Sequence, residues 1–216
     1  MTRIKCFLYV FSSLLCMLFS SCTADEEITK EPVAESYIDA AKEILHDKLV
    51  VNATAMQGTV NKTLLPEGCP VMYHLKWNDD NTLNVQIKDF CVGTMPLTIT
   101  FSINAKFMQL NTWEKDEYTG DGWIKFQGKA GKTSYIGNTN EYEDGTGGSG
   151  TIQGYLNVNT HEIEFVTNFN VLNFSADTYK QKIDPTRVDR YDEEFAQYEK
   201  DLEEYKNETV SSKLLW

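Results

Sequence analysis

The sequence predicts a mainly β chain folded as an antiparallel meander barrel, with a helix before it and an amphipathic helix after it. Three observations predict this. Apolar residues recur at every second position from Val50 onward, tight-turn residues separate the alternating stretches, and at both ends of that region the spacing becomes helical. Val71, Tyr73, Leu75 and Trp77 alternate with Met72, His74 and Lys76. Leu83, Val85 and Ile87 follow, then Leu97, Ile99, Phe101 and Ile103, and later Ile163, Phe165 and Phe169 share one face. One apolar and one polar face per strand marks an antiparallel sheet solvated on one side. A parallel sheet buried on both faces reads instead as continuous apolar runs.

The helices are read from spacings of three and four. Ser36 and Tyr37 open a helix in which Ile38, Ala41, Leu45 and Leu49 recur on one face, with Asp39 at the cap position. At the other end Tyr191, Phe195, Tyr198, Leu202 and Tyr205 form a narrow apolar seam among acidic residues. Such a seam suits a helix docked on the barrel wall or across its open end, with a coiled-coil contact as the alternative. Leu214, Leu215 and Trp216 form an apolar terminus expected to pack beside it.

Two hairpins can be registered. If Asp79-Asp80-Asn81 is a three-residue loop with Asn81 left-handed, Trp77 faces Leu83, Leu75 faces Val85 and Tyr73 faces Ile87, so apolar meets apolar throughout. A two-residue turn at Asn159-Thr160 sets Leu156 opposite Ile163 and Gly154 opposite Phe165. Extending the first register places Cys69 opposite Cys91 on the apolar face. Directly opposed Cα atoms lie about 4.5 to 5.5 Å apart, inside the disulfide window. A Cys69–Cys91 disulfide is therefore expected, with two buried free thiols as the alternative.

The chain begins as a secretory signal. Arg3 and Lys5 precede an uncharged run from Cys6 to Phe19, too short for the roughly 20 apolar residues of a membrane span. Leu18-Phe19-Ser20-Ser21-Cys22 resembles a bacterial lipobox, which implies cleavage before Cys22 and acylation of its thiol as a lipid anchor. Asp25-Glu26-Glu27 behind it resembles the surface-export signal of Bacteroidetes outer-membrane lipoproteins. The expected organisation is a signal peptide over 1–21, an acidic tether over 22–34 and a single barrel domain with its C-terminal helix over 35–216. Together with Phe90-Cys91-Val92-Gly93-Thr94-Met95-Pro96-Leu97 and the Gly150-to-Phe174 hairpin, these features resemble Bacteroidetes surface lipoproteins carrying a lipocalin- or calycin-like barrel of unknown function. The Gly-x-Trp signature of lipocalins is absent from the first strand, where Gln57-Gly58-Thr59-Val60 stands. The expected location is the outer membrane, held by the lipid anchor and facing the cell surface, with a periplasm-facing anchor as the alternative.

Composition narrows the partners. With 20 basic against 32 acidic residues, a formal net charge of −12 and no basic cluster, nucleic acid is excluded as a partner. His46, His74 and His161 stand apart and no Cys-x-x-Cys or His-Glu-x-x-His exists, so no metal, cofactor or catalytic set is expected and the protein reads as a non-enzyme. Asp79-Asp80 and Asp116-Glu117-Asp121 lack the spacing of a calcium loop. Glu162 and Glu164 would share a strand face about 7 Å apart, as glycosidase acids can, but exposed acid pairs are common.

Two functions of different kinds fit. One is a binding module for a small apolar ligand or lipid, held inside the barrel by Tyr73, Leu75, Val85, Ile87, Phe101 and Ile103, which needs a void of at least about 300 Å³. The alternative is a surface interaction module that contacts glycan or protein through the aromatics Trp113, Tyr118, Trp123, Tyr135 and Tyr142 near its loops. An interior filled solid by Trp77, Phe101 and their neighbours favours the alternative. A hydrolase is the third and weakest.

Overall fold

In the computed structural model the described residues are 32–137, 142–144 and 150–213, the side chains of 142–144 and 210–213 excepted. Cys22, the signal segment, most of the tether, Ser149 and Leu214 to Trp216 lie outside them. Helix α1 (Glu35–Ile44) leads into β1 (Asp47–Gln57), β2 (Val60–Asn61), β3 (Cys69–Trp77), β4 (Leu83–Phe90) and β5 (Thr98–Met108). Helix α2 (Thr112–Glu117) intervenes before β6 (Trp123–Ile136), β7 (Tyr142–Asp144), β8 (Gly150–Asn157), β9 (Glu162–Asn168), β10 (Phe174–Thr178) and β11 (Gln181–Lys182). A 3-10 turn over Pro185–Val188 then joins helix α3 (Tyr191–Lys213).

The sheet is a closed antiparallel barrel of eight strands. β1, β3, β4, β5, β6, β8, β9 and β10 each pair with the next, and β10 pairs back onto β1. Closure removes the exposed edges that an open sheet would have to protect. The short strands β2, β7 and β11 attach to β1, β6 and β9.

Both expected registers hold. Tyr73 faces Ile87, Leu75 faces Val85 and Trp77 faces Leu83, and Asn81 is left-handed with φ of 58°. Leu156 faces Ile163 and Gly154 faces Phe165. That second ladder closes at Asn157–Glu162, and His161 takes the left-handed conformation with φ of 60°. The connecting loop is thus longer than the expected two residues. The Asn157 Oδ1 atom stabilises it by accepting from the backbone N–H groups of Asn159 and Thr160, both at 2.9 Å.

The disulfide does not form. Cys69 and Cys91 are both free, one buried and one exposed. The β3–β4 ladder stops at Tyr73–Ile87, and the β4–β5 pairing shifts between Ile87 and Phe90, where Asp89 has φ of 51°. A bulge adds a residue and bends its strand, so Cys91 loses the parity of Ile87 and lies beyond the end of β4. Cys69 sits opposite Ala53 of β1 instead, and its thiol donates to the Ala53 carbonyl at 3.5 Å. Burial pushes this thiol up to about 12.

The helices also differ in detail from expectation. α1 starts at Glu35 behind Ala34 without a side-chain cap. Asp39 is one turn inside it and pairs with Lys42 at 3.5 Å. Leu45 follows its last turn and Leu49 belongs to β1, yet both are buried. α3 packs against β3, with Tyr198 and Leu202 buried in the core and Tyr205 exposed. The Tyr198 hydroxyl donates to the Thr63 carbonyl at 3.1 Å, pinning the docked part of the helix. Among the described residues no helix is long and apolar enough to cross a membrane.

Aromatic side chains fill the barrel. Tyr73 meets Phe165 edge-on at 4.9 Å, Phe101 meets Phe169 likewise at 5.4 Å, and Phe107 stacks on Trp77 at 5.1 Å. The Trp77 indole donates to the Leu45 carbonyl at 2.7 Å, which ties the end of α1 to the barrel.

Candidate functional site

The structure brings the six expected interior residues together, but as packing. Tyr73, Leu75, Val85, Ile87, Phe101 and Ile103 all belong to the buried core. The cavity bounded by Tyr73, Leu75, Leu83, Val85, Phe126 and Phe165 has a volume of about 10 Å³. That is room for one water at most, far below the about 300 Å³ of an ordinary ligand site.

The outer wall is different. Three outward-facing side chains lie in one row across three strands, because Lys125 of β6 pairs with Tyr155 of β8 and Tyr155 pairs with Glu164 of β9. α2 is laid over this row. Asn111 caps α2 by a reciprocal capping box. Its Oδ1 accepts from the Glu114 N–H at 2.9 Å, and its own N–H donates to Glu114 Oε2 at 2.8 Å. The second carboxylate oxygen of Glu114 is turned onto the wall. There it accepts from the Lys125 ammonium and from the Tyr155 hydroxyl, the latter at 2.9 Å. Lys125 and Glu114 are 7% and 11% exposed, so this ion pair is buried although it sits outside the barrel.

Charge and burial act in opposite directions at the two carboxylates. Burial alone would raise the Glu114 carboxyl, but hydrogen bonds from Lys125, the Asn111 backbone and Tyr155 outweigh it and hold Glu114 below its ordinary range. Glu164 has fewer partners. Burial lifts its carboxyl above the ordinary range, with Lys180 opposing and Glu117 adding to the lift. Its Oε1 accepts from the Tyr118 hydroxyl. Burial and the neighbouring Glu114 push Tyr155 up to about 12, so it remains a neutral donor.

Aromatic rings complete the cluster. Tyr118 stacks on Tyr155 at 3.9 Å between centroids and lies 4.9 Å from Trp123. On one side a groove of about 460 Å³ runs along β8 and β9, lined by Thr151, Gln153, Tyr155, Glu164, Val166 and Asn168. On the other a groove of about 400 Å³ is lined by Tyr118, Trp123, Tyr37, Gln109, Lys115 and Asp121.

The surface aromatics expected from sequence are thus split. Tyr118 and Trp123 are in the cluster, and Trp113 projects from α2 with 83% exposure. Tyr135 is paired between Ile99 and Glu143 and packs against the core, and the Tyr142 side chain lies outside the described residues. Tyr155, Glu114, Lys125 and Lys180 are the members that sequence reasoning missed. Two signals for them were present: Asn111-Thr112-Trp113-Glu114 has the capping-box spacing, and the β8–β9 register that pairs Leu156 with Ile163 also pairs Tyr155 with Glu164. Glu162 shares the outer face of β9, but its carboxylate is engaged by the Thr160 hydroxyl at 2.7 Å. Among the described residues no group of His, Cys, Asp or Glu is arranged to hold a metal ion. Chemically, the β8–β9 groove offers the part-exposed Tyr155 ring, amide donors and a carboxylate acceptor, the complement of a hydroxylated ring.

No curated protein and no solved structure matches the chain. A match to a family covers residues 22–210, nearly the whole length. By that match the chain belongs to the family described as a domain of unknown function (DUF4903).

Proposed function

We propose that this protein is a lipid-anchored surface interaction module that binds a neutral glycan on the outer wall of its barrel. One contrast carries the proposal: the interior cavity beside Tyr73 and Phe165 measures about 10 Å³, while the wall carries a groove of about 460 Å³ beside a stack of aromatic rings. Sugar rings bury their C–H faces on aromatic rings, as other apolar surface does. Gln153, Asn168 and Thr151 offer hydrogen bonds along the groove, and Glu164 supplies an acceptor. In titration calorimetry of array-selected neutral oligosaccharides, Gln153→Ala and Val166→Asp should each weaken binding by about tenfold or more, roughly the loss of one or two good contacts. Unchanged affinity in both variants, or an array with no neutral glycan retained, would remove the proposal.

A protein partner is the second possibility, and the exposure of Trp113 favours it. Large exposed aromatics are frequent anchors of protein interfaces. Co-purification of a specific partner that Trp113→Ala abolishes and the groove variants leave intact would select it.

Anchoring at the outer membrane, facing outward, is supported by the lipobox-like stretch before Cys22 and the acidic residues behind it. Cys22→Ser is expected to move the protein from the membrane to the soluble fraction and to abolish labelling by an alkynyl fatty acid. Retained labelling in the variant would rule out Cys22 as the anchor.

A further inference from the structure

Lys180 follows β10 and is exposed, and it takes part in no ion pair among the described residues. Its ammonium instead lies over two aromatic rings, 4.7 Å from the centroid of Tyr118 and 5.2 Å from that of Trp123. Tyr155 stacks on Tyr118 at 3.9 Å, so one ring face is taken and the other is left to the cation. Glu164 is held to the same tyrosine through its hydroxyl and feels the Lys180 charge. Two ring faces and a nearby carboxylate are the elements with which proteins recognise alkylammonium groups. Here the position is filled by a side chain of the chain itself, one on a flexible four-carbon stem with its outer side open to water. The groove of about 400 Å³ runs along the same two rings and provides room for the remainder of a larger ligand.

We infer that the faces of Tyr118 and Trp123, backed by Glu164, form an alkylammonium-binding site, and that Lys180 is its built-in occupant, displaced when a ligand amine enters. The inference is independent of whether a glycan occupies the β8–β9 groove. It also sets a direction of regulation: removing Lys180 should open the site, whereas removing a ring should destroy it.

The test uses tetramethylammonium chloride as the probe, because it cannot donate a hydrogen bond and reports ring recognition alone. Binding is followed in every variant by the methyl proton resonance of the probe, and in the variants that keep Trp123 also by its indole N–H resonance, assigned by comparison with Trp123→Phe, at constant ionic strength maintained with sodium chloride. Lys180→Ala is expected to bind the probe about tenfold more tightly than the natural chain. Lys180→Arg should retain the weak binding of the natural chain, because a guanidinium also covers the rings. Trp123→Leu introduced into Lys180→Ala should remove binding. Equal affinity of the natural chain and Lys180→Ala overturns the built-in occupant. Absence of saturable binding to Lys180→Ala, or binding that persists without Trp123, overturns the site. A neutral oligosaccharide bound normally by a protein that fails these tests leaves the glycan proposal standing, which separates the two.

Discussion

Phe101→Ala is expected to lower the free energy of unfolding by about 3 to 5 kcal/mol, the range for truncating a fully buried aromatic side chain. Phe101 is 1% exposed and makes an edge contact with Phe169 at 5.4 Å. Its seat is cut by two glycines. A Cβ built at Gly131 would stand 2.5 Å from the Phe101 ring, and one at Gly150 only 2.4 Å from it. The ring therefore occupies space that any other residue at those positions would claim, which is why it fills the barrel end so completely. Gly131→Ala makes the point sharper, because the atoms it would strike are all side-chain atoms of Phe101 and Ile103. Alone it should destabilise by overpacking, about 1 to 3 kcal/mol. In the Phe101→Ala background the same methyl enters vacated space, so the two effects should be strongly non-additive. Urea denaturation of the four proteins measures the coupling. A loss below about 1 kcal/mol for Phe101→Ala would mean that the interior is not solidly packed and would restore the internal-ligand function.

Such an interior was largely legible because period-two alternation and turn residues are local signals. Leu75 and Val85 could be paired from sequence since Asn81 set the loop and one face was apolar throughout. The failed disulfide shows where that logic stops. Lys88 and Asp89 stand as two consecutive polar residues between Ile87 and Phe90, both of which point inward. Two polar residues between inward neighbours mean that the strand has gained one, and this is the written trace of the bulge. Extrapolating the register through it carried Cys91 to the wrong face. The outer-wall site was legible only in pieces. Registers give Lys125, Tyr155 and Glu164 as a row, and the capping box gives Glu114 its place on α2. No local signal says that α2 folds back over β6, or that Lys180 reaches the rings of Tyr118 and Trp123. The first contact spans only eleven residues but runs through one side-chain pair, Glu114 with Lys125, that no periodic pattern marks, whereas the second joins segments far apart in sequence that the β6–β8–β9–β10 pairings bring to one wall.

Glu114→Gln is expected to destabilise the protein by about 3 kcal/mol at neutral pH, because it strands the Lys125 ammonium without a counter-charge in a site where that group is 7% exposed. The amide keeps one oxygen for the Tyr155 hydroxyl but turns its NH2 toward the Asn111 N–H, so the loss combines the missing charge on Lys125 with half of the capping box, and the pH dependence separates the two. Replacing both partners, as in Glu114→Gln with Lys125→Met, should recover most of it, since a matched apolar substitution removes the desolvated cation together with its need for a partner. The pH dependence follows from the sign of the shift. Hydrogen bonds from Lys125, the Asn111 backbone and Tyr155, acting against burial, hold the folded Glu114 carboxyl below the ordinary carboxylate range. A depressed carboxyl contributes stability that is fully present above the unfolded value and is lost as pH falls through the folded one. Glu164 runs the other way. Burial raises its carboxyl, so its contribution is present below the unfolded value and fades as pH rises through the folded one. Thermal denaturation from neutral pH down into the acid range should therefore show Glu114→Gln converging on the natural protein toward low pH. Glu164→Gln should instead be the more favourable of the two substitutions at neutral pH. A Glu114→Gln deficit that stays constant down to the lowest pH would show that the residue acts through the shape of the cap and not through its charge on Lys125.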